Sequence, residues 1–434
     1  MSRSHVAAHV LVAATAALSA AAVHAQVGTP QWSVSFEDME GQSSFITDLR
    51  AGNDGVTVGL LRSSARLTDG GARQWHITAE PVCTVDQTLH RISAVESLPD
   101  NESWVLRSCY SSNGADARHV LTRIDDDGAS AIQADLHASG ALWQYTRLFA
   151  RPDGVLALVP HPNGVRWLRM DSNGNVIDDA FTELARTHQR VTFPYVRMWP
   201  NGSASIAVWQ GPNGCNADPP TVCPRPATTL LRLSADGTER WRVEAGEFYG
   251  FVGFDDDGSS LIARSTYGTE LRLRQVSATG VAGPTFIAAD GERMHLTGEA
   301  GPVRGRYLAV SETEQLLIGR DGRVLARRPD GSTAGGKAYA SGTHGFITGA
   351  WLSDGALVSA DDLSVLAYFD LDGVDNTSWD ISGDLYWRLL DDGTVYTNVR
   401  RTSDVTPPPQ RARTSRFAVP GTPAADLVFV DRFD

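Results

Sequence analysis

Short runs of alternating apolar and polar residues, broken by Asp-Gly and Asn-Gly, follow one another along nearly the whole chain. Two-residue alternation is the pattern of a half-buried strand, and no long stretch carries a helical period. Asp, Asn and Gly tolerate the positive φ that tight hairpins need. The turns are of two kinds. One follows an aromatic-rich run and precedes a short apolar one: Asn53-Asp54-Gly55, Pro152-Asp153-Gly154, Pro200-Asn201-Gly202, Asp256-Asp257-Gly258, Ser353-Asp354-Gly355 and Asp391-Asp392-Gly393. Asp100-Asn101 and the stretch from Gly301 to Gly305 are weaker copies. The other kind ends an apolar-Arg-apolar run and often leads to a tryptophan. Its clearest copy is Leu230-Leu231-Arg232-Leu233-Ser234-Ala235-Asp236-Gly237-Thr238-Glu239-Arg240-Trp241. Others end at Gly70, Gly128, Gly174, Gly280, Gly322 and Gly373.

Turns of the first kind recur roughly every 50 residues, a period that marks repeat architectures. Each repeat reads as four strands, A to D, with the first kind of turn between A and B and the second between C and D. Four antiparallel strands make one blade of a β-propeller, so the expected fold is all-β. Eight A–B turns face only seven internal C–D turns. The chain ends account for the difference. The segment from Gly28 to Val34 reads like Gly237 to Val243, a D strand without its C. The segment from Thr414 to Val419 reads as a C strand without its D. Pairing the two completes one blade and hides two strand edges. This predicts eight four-stranded blades closed by strands from both termini; seven blades is the alternative.

Composition narrows the setting. Hydrophobic residues at 42% suffice for a large core, and a formal net charge of −13 disfavours nucleic acid and anionic membrane as partners. Lys337 is the only lysine, so any lysine chemistry must use it. Arg3, the apolar run Val6 to Ala22 and the small-residue site Val23-His24-Ala25 read as a signal peptide over residues 1–25. A propeller over 26–419 and a tail over 420–434 follow. No later run is apolar enough to span a bilayer. The expected protein is therefore exported, monomeric, and periplasmic or extracellular in a Gram-negative bacterium. An even cysteine count in such a chain suggests two disulfides. Cys83 falls in a D–A loop and Cys109 at a B–C loop of the next blade, on the same face. Cys215 and Cys223 bracket a Pro-rich excursion within one loop. The expected pairs are Cys83–Cys109 and Cys215–Cys223.

The C–D signature carried by Leu230 to Trp241 and its copies resembles the repeat of the PQQ-like, quinoprotein-type propellers, over roughly Trp32 to Val419. The resemblance implies architecture. Dehydrogenases of that family hold their cofactor with a vicinal Cys-Cys disulfide, and no two cysteines are adjacent here. No calcium and catalytic-Asp constellation carries over either, so no cofactor is expected. The ending Asp426 to Asp434 resembles the short aromatic-acidic termini of many exported proteins of some Gram-negative bacteria.

The remaining motifs fail on chemistry. Gly331-Ser332-Thr333-Ala334-Gly335-Gly336-Lys337-Ala338 nearly spells a P-loop, but Ala338 cannot hold Mg²⁺ as Ser or Thr would. The acidic turns at Gly128 and Gly373 place Arg123 and Tyr368 where a calcium loop needs its first ligand. The histidines His76, His90, His119, His137, His161, His188, His295 and His344 are scattered without metal-ligand spacing. Trp32, Trp75, Trp241 and Trp379 occupy repeat-equivalent positions, as blade-packing residues do. No catalytic, cofactor-binding or metal residue is assigned.

The A–B and C–D turns share one face of a propeller, and the B–C and D–A loops share the other. The long irregular loops are of the second sort, including Glu80 to Thr88, Cys109 to Arg118 and Gln210 to Thr228. Loops on a rigid scaffold are where binding resides. The expected function is a non-catalytic binding or scaffold protein that meets a protein or glycan through this face. The alternatives are a quinone-dependent or carbohydrate-active propeller enzyme and an envelope assembly factor.

Overall fold

The computed structural model describes residues 26–28, 31–36, 46–52, 54–78, 83–84, 89–98, 101–110, 118–136, 146–184, 190–211, 227–246, 252–266, 270–290, 302–310, 314–329, 337–341, 345–349, 354–370, 386–389, 394–401 and 411–418. The predicted signal peptide, Cys215, Cys223, Trp379, the turn Asp391-Asp392-Gly393 and the tail over 420–434 lie outside them.

Two short strands, β1 (Gln26–Gly28) and β2 (Trp32–Ser35), come first in the chain. Sheet 1 follows, with β3 (Ile46–Gly52), β4 (Gly55–Leu60), β5 (Ser63–Thr68) and β6 (Arg73–Thr78). Sheet 2 holds β7 (Leu89–Ser97), β8 (Ser103–Tyr110), β9 (Arg118–Ile124) and β10 (Ser130–Leu136). Sheet 3 holds β11 (Arg147–Arg151), β12 (Gly154–His161), β13 (Gly164–Asp171) and β14 (Val176–Glu183). Sheet 4 holds β15 (Arg190–Met198), β16 (Ala204–Gly211), β17 (Ala227–Leu233) and β18 (Glu239–Gly246). Sheet 5 holds β19 (Val252–Phe254), β20 (Ser260–Thr266), β21 (Glu270–Val276) and β22 (Ala282–Asp290). Three strands are described in sheet 6: β23 (Arg306–Val310), β24 (Glu314–Gly319) and β25 (Val324–Pro329). Sheet 7 holds β26 (Lys337–Ser341), β27 (Gly345–Gly349), β28 (Asp354–Ser359) and β29 (Val365–Asp370). Sheet 8 holds β30 (Tyr386–Leu389), β31 (Thr394–Arg401) and β32 (Arg411–Ala418).

Within each sheet consecutive strands pair antiparallel, as a meander does. The fold is an all-β propeller. The two chain ends meet as their sequences suggest: β2 pairs antiparallel with β32, Trp32 opposite Arg416, and completes sheet 8 as its outer strand. β1 adds in parallel to the outer edge of sheet 7, with Gln26 opposite Ala367 and Gly28 opposite Phe369.

From the closure on sheet 1 round to sheet 7, neighbouring sheets bury apolar residues between them. Trp75 of sheet 1 packs with Ile92, Val95, Val105 and Ile124 of sheet 2. Ala94, Leu106 and Leu121 of sheet 2 meet Leu148, Val155 and Met170 of sheet 3. At the closure, Trp32 and Val34 of β2 lie against Leu49, Val56 and Leu67 of sheet 1. The outer strands hand each sheet on to the next. Trp32 covers Gly71 in the following C–D turn, Trp75 covers Gly128 and Trp241 covers Gly280. Trp32 Nε1 donates to Asp69 O at 2.7 Å, and Trp241 Nε1 to Ala278 O at 3.0 Å. These glycines have φ near +80° to +85°, and a Cβ at Gly128 would fall 2.6 Å from Trp75 Cβ. Glycine is thus required twice over, by backbone and by contact.

One turn is out of phase with the repeat read from sequence. Asp354 and Gly355 open β28, the third strand of sheet 7, rather than the second. The C–D turn of that sheet is the tighter Ser359–Ser364 segment, closed by Ser359 N to Ser364 O at 2.8 Å. A Gly at a hairpin bend satisfies the backbone equally well in either connection, so turn chemistry alone does not set the phase. Lys337 begins strand β26 and not a helix, which removes the structural context of a P-loop.

Candidate functional site

The face that carries the A–B and C–D turns spends its charges on holding itself together. The arginine of the apolar-Arg-apolar run, on the third strand, reaches an A–B turn in sheet after sheet. Arg123 pairs with Glu102, Arg169 with Asp153, and Arg232 donates to Ser203 and Ser205. Arg320 grips Asp255 and Asp257 of the preceding sheet, and Arg306 bonds Ala360 O and Asp361 of the next. Arg197 and Arg232 both lie over the Trp199 ring, 4.6 and 4.4 Å from its centroid. Arg66 is fully buried; it donates to Thr57 at 3.1 Å, Ser97 at 3.0 Å and Asn101 at 3.2 Å across sheets 1 and 2. These groups answer one another and offer little to a ligand.

The opposite end of sheet 2 is different. Arg91 of β7, Ser108 of β8 and His119 of β9 are direct cross-strand neighbours, so their side chains share one side of the sheet. A bulge between Ile92 and Ala94 inserts Ser93 into β7 and turns its hydroxyl toward the same group. Ser93 Oγ lies 2.7 Å from Ser108 Oγ, and Ser108 Oγ lies 2.9 Å from His119 Nδ1. Tyr110, two residues beyond Ser108, stands edge-on to the His119 ring with centroids 5.7 Å apart. Leu106, two residues before Ser108, belongs to the core shared with sheet 3. The cluster therefore faces sheet 3, at the end where β8 leaves for its B–C loop and β7 enters from its D–A loop.

Burial sets the protonation states. It lowers the His119 imidazole to about 4, so the ring is neutral near pH 7. It also raises the Tyr110 phenol, which the nearby Ser108 hydroxyl, Arg91 charge and Ser93 hydroxyl only partly offset. Ser108 and His119 form a hydroxyl–imidazole pair of the kind that activates a nucleophile. Here Ser108 is fully buried and its hydroxyl is taken up between Ser93 and His119. The pair supports the strands and has no open approach for a reacting carbonyl.

The other side of the same sheet end carries the disulfide. Cys83 and Cys109 are bonded with Cα atoms 5.5 Å apart, as their places in sequence predict. The bond ties the linker between sheets 1 and 2 to the end of β8. Arg107, on the Cys109 side of β8, is 3% exposed and burial lowers its guanidinium to about 10.

Of the histidines, sequence reasoning singled out none; His119 is the one that Ser108 holds in this cluster. His76 is half-buried and lowered by that burial and by Arg73. His161 meets the Phe181 ring edge-on at 5.4 Å. His137, His188, His295 and His344 lie outside the described residues. Among the described residues no group of three His, Cys, Asp or Glu side chains could hold a metal ion, and no helix is long and apolar enough to cross a membrane. The signal that could have pointed to the cluster is modest: Ser108 and His119 are polar at positions where alternation calls for an inward side chain.

No protein-family model and no curated protein matches the chain. Solved structures do. A structure of the Dos1 propeller is similar with a TM-score of 0.56 at 11% identity, covering 89% of this chain and 95% of that one. BamB from Moraxella catarrhalis is similar with a TM-score of 0.53 at 14% identity, covering 90% of this chain and 100% of that one. The computationally designed Ika8 protein gives a TM-score of 0.52 at 12% identity, covering 89% and 99%. At such identity the likeness speaks for architecture alone, and the architecture it shares with this chain is the β-propeller.

Proposed function

We propose that this chain is an exported propeller of eight blades, spanning residues 26–419, that serves as a non-catalytic binding scaffold for a protein or glycan on its long-loop face. The observation that carries this reading is the closed network Ser93–Ser108–His119: its hydroxyl–imidazole pair is buried and internally satisfied. Catalysis by such a pair needs a nucleophile that a substrate can reach. Eight sheets among the described residues, with β2 completing the last, support the blade count. The Cys83–Cys109 bond supports export, because structural disulfides persist in oxidising compartments.

The test uses the mature chain. Glycan arrays and envelope-protein pull-downs, repeated after exchange of the segments Cys109 to Arg118 and Gln210 to Thr228 with both cysteine pairs kept, should give binding that depends on those segments. The same protein, incubated with pyrroloquinoline quinone and calcium, should show no dye-linked dehydrogenase turnover over alcohols and sugars. Reproducible turnover would show the reading to be wrong.

A further inference from the structure

Of the eight large apolar side chains left exposed among the described residues, three belong to β14, the outer strand of sheet 3: Val176 at 55%, Ile177 at 42% and Phe181 at 51%. Beyond a bulge at Ile177 the strand pairs regularly with β13, from Asp178 opposite Arg169 to Glu183 opposite Gly164. No strand lies on its other edge among the described residues. The one described group of another sheet that bonds its backbone is Arg242, which donates to Glu183 O at 2.8 Å.

A bare outer edge is a template for another chain, and folds blunt such edges with charge or proline. Here β6 carries Arg73, β18 Arg242, β22 Pro284 and β25 Arg328. β14 has no proline and no cation, and its central carboxylates are neutralised from within the sheet, Asp178 by Arg169 and Asp179 by Arg166. The other outer strand with two large exposed apolar side chains is β29, which shows Leu366 and Tyr368. There the fold itself lays an extended segment, β1, along the edge.

The charges at the two ends of β14 define what would cover it. Asp171, in the turn that leads into β14, has its carboxylate held by Asn173 and Asn175 and forms no ion pair among the described residues. Glu183, at the far end, forms none either, since Arg242 pairs with Glu239 and reaches only the Glu183 carbonyl. Glu183 lies two residues from Phe181 and so on the same side of the strand. A cation over the exposed ring therefore stands beside a carboxylate. The whole chain carries a formal charge of −13, which favours a basic partner. The complement is an extended segment, apolar in the middle and ending in Lys or Arg.

We propose that the outer edge of β14 binds an extended, basic-ended apolar segment of a partner protein by strand addition. Backbone bonds along Asp178 to Glu183 supply the affinity. Ile177, Phe181 and the flanking Asp171 and Glu183 select the partner. The site goes beyond the long-loop reading above and does not rest on it.

The probe is the peptide Arg-Val-Thr-Val-Thr-Val-Arg with blocked ends, which reads the same in both directions. Titrated into the mature chain, it should bind and should slow amide exchange in β14 and in no other outer strand. The same peptide with Glu at both ends, or with every second backbone nitrogen methylated in either phase, should bind about tenfold more weakly. Ile177→Lys and Glu183→Lys change exposed side chains and should each weaken binding by about fivefold or more. Exchange protection in the unaltered chain reads the site without any variant, so a variant that folds poorly does not decide the matter. Binding should survive exchange of the segments Cys109 to Arg118 and Gln210 to Thr228; its loss there would place the peptide on the long-loop face and overturn the edge. Equal binding of the acidic-ended or methylated peptides, protection elsewhere than β14, or no binding at millimolar concentration would overturn it as well. So would two other occupants: a second copy, seen as concentration-dependent dimers that protect β14, or the tail, seen as β14 protection lost on removing residues 420–434.

Discussion

His119 makes the stability of this propeller depend on pH in a direction that burial dictates. The ring is 5% exposed, packs edge-on to Tyr110, and has Nδ1 2.9 Å from the Ser108 hydroxyl. Folding lowers its pKa from the ordinary 6.5 to about 4. The folded state therefore binds fewer protons than the unfolded state between those values. Stability from this group is fully present above pH 6.5 and is lost as pH falls through the window toward 4. The slope approaches ~1.4 kcal/mol per pH unit, and the whole window amounts to ~3 kcal/mol. The perturbation is His119→Gln, which keeps a polar side chain near Ser108 and cannot titrate. Denaturant midpoints of both proteins measured from pH 7 to pH 4 isolate the effect, because the carboxylates titrate alike in each and cancel in the difference. The wild-type curve should fall more steeply than the variant's below pH 6.5. Parallel curves, or an imidazole titrating near 6.5 by NMR in the folded protein, would refute the reasoning.

Arg66 and Arg107 are both buried arginines of sheets 1 and 2 and should respond oppositely to methionine. Arg66→Met leaves the Thr57, Ser97 and Asn101 acceptors without their donor and should cost about 2–4 kcal/mol. Arg107→Met removes a charge with no hydrogen bond or ion pair among the described residues, and its denaturation midpoint should stay level or rise. Gly128→Ala puts a Cβ against Trp75 at a φ of +85° and should cost at least ~1–2 kcal/mol, with a changed near-UV tryptophan signal. The double variant Cys83→Ser with Cys109→Ser should lose ~2–4 kcal/mol in equilibrium unfolding, and reduction of the wild type should reproduce that loss.

Much of the architecture was legible because its causes are local. The C–D turn glycines Gly128, Gly174, Gly237, Gly280 and Gly322 all have φ near +80°, a demand that Gly meets without strain; in the first such turn that glycine is Gly71, one past the expected Gly70. The orphan strands at Trp32 and Arg416 were recognisable because each repeats a pattern used elsewhere, and they do pair. The phase of sheet 7 was not legible, since an Asp-Gly pair such as Asp354-Gly355 serves equally well between any two strands. Nor was β1, whose three residues pair in parallel with β29 from more than three hundred positions away without any local signal. The candidate site belongs to the same class. Arg91, Ser108, Tyr110 and His119 carry no shared motif, and Ser93 joins Ser108 and His119 only because a bulge shifts it by one residue. Turns and alternation follow from each residue's own backbone and side chain. Which strands adjoin, in which register and facing which sheet follows from packing between distant segments, and that is where the polar cluster is made.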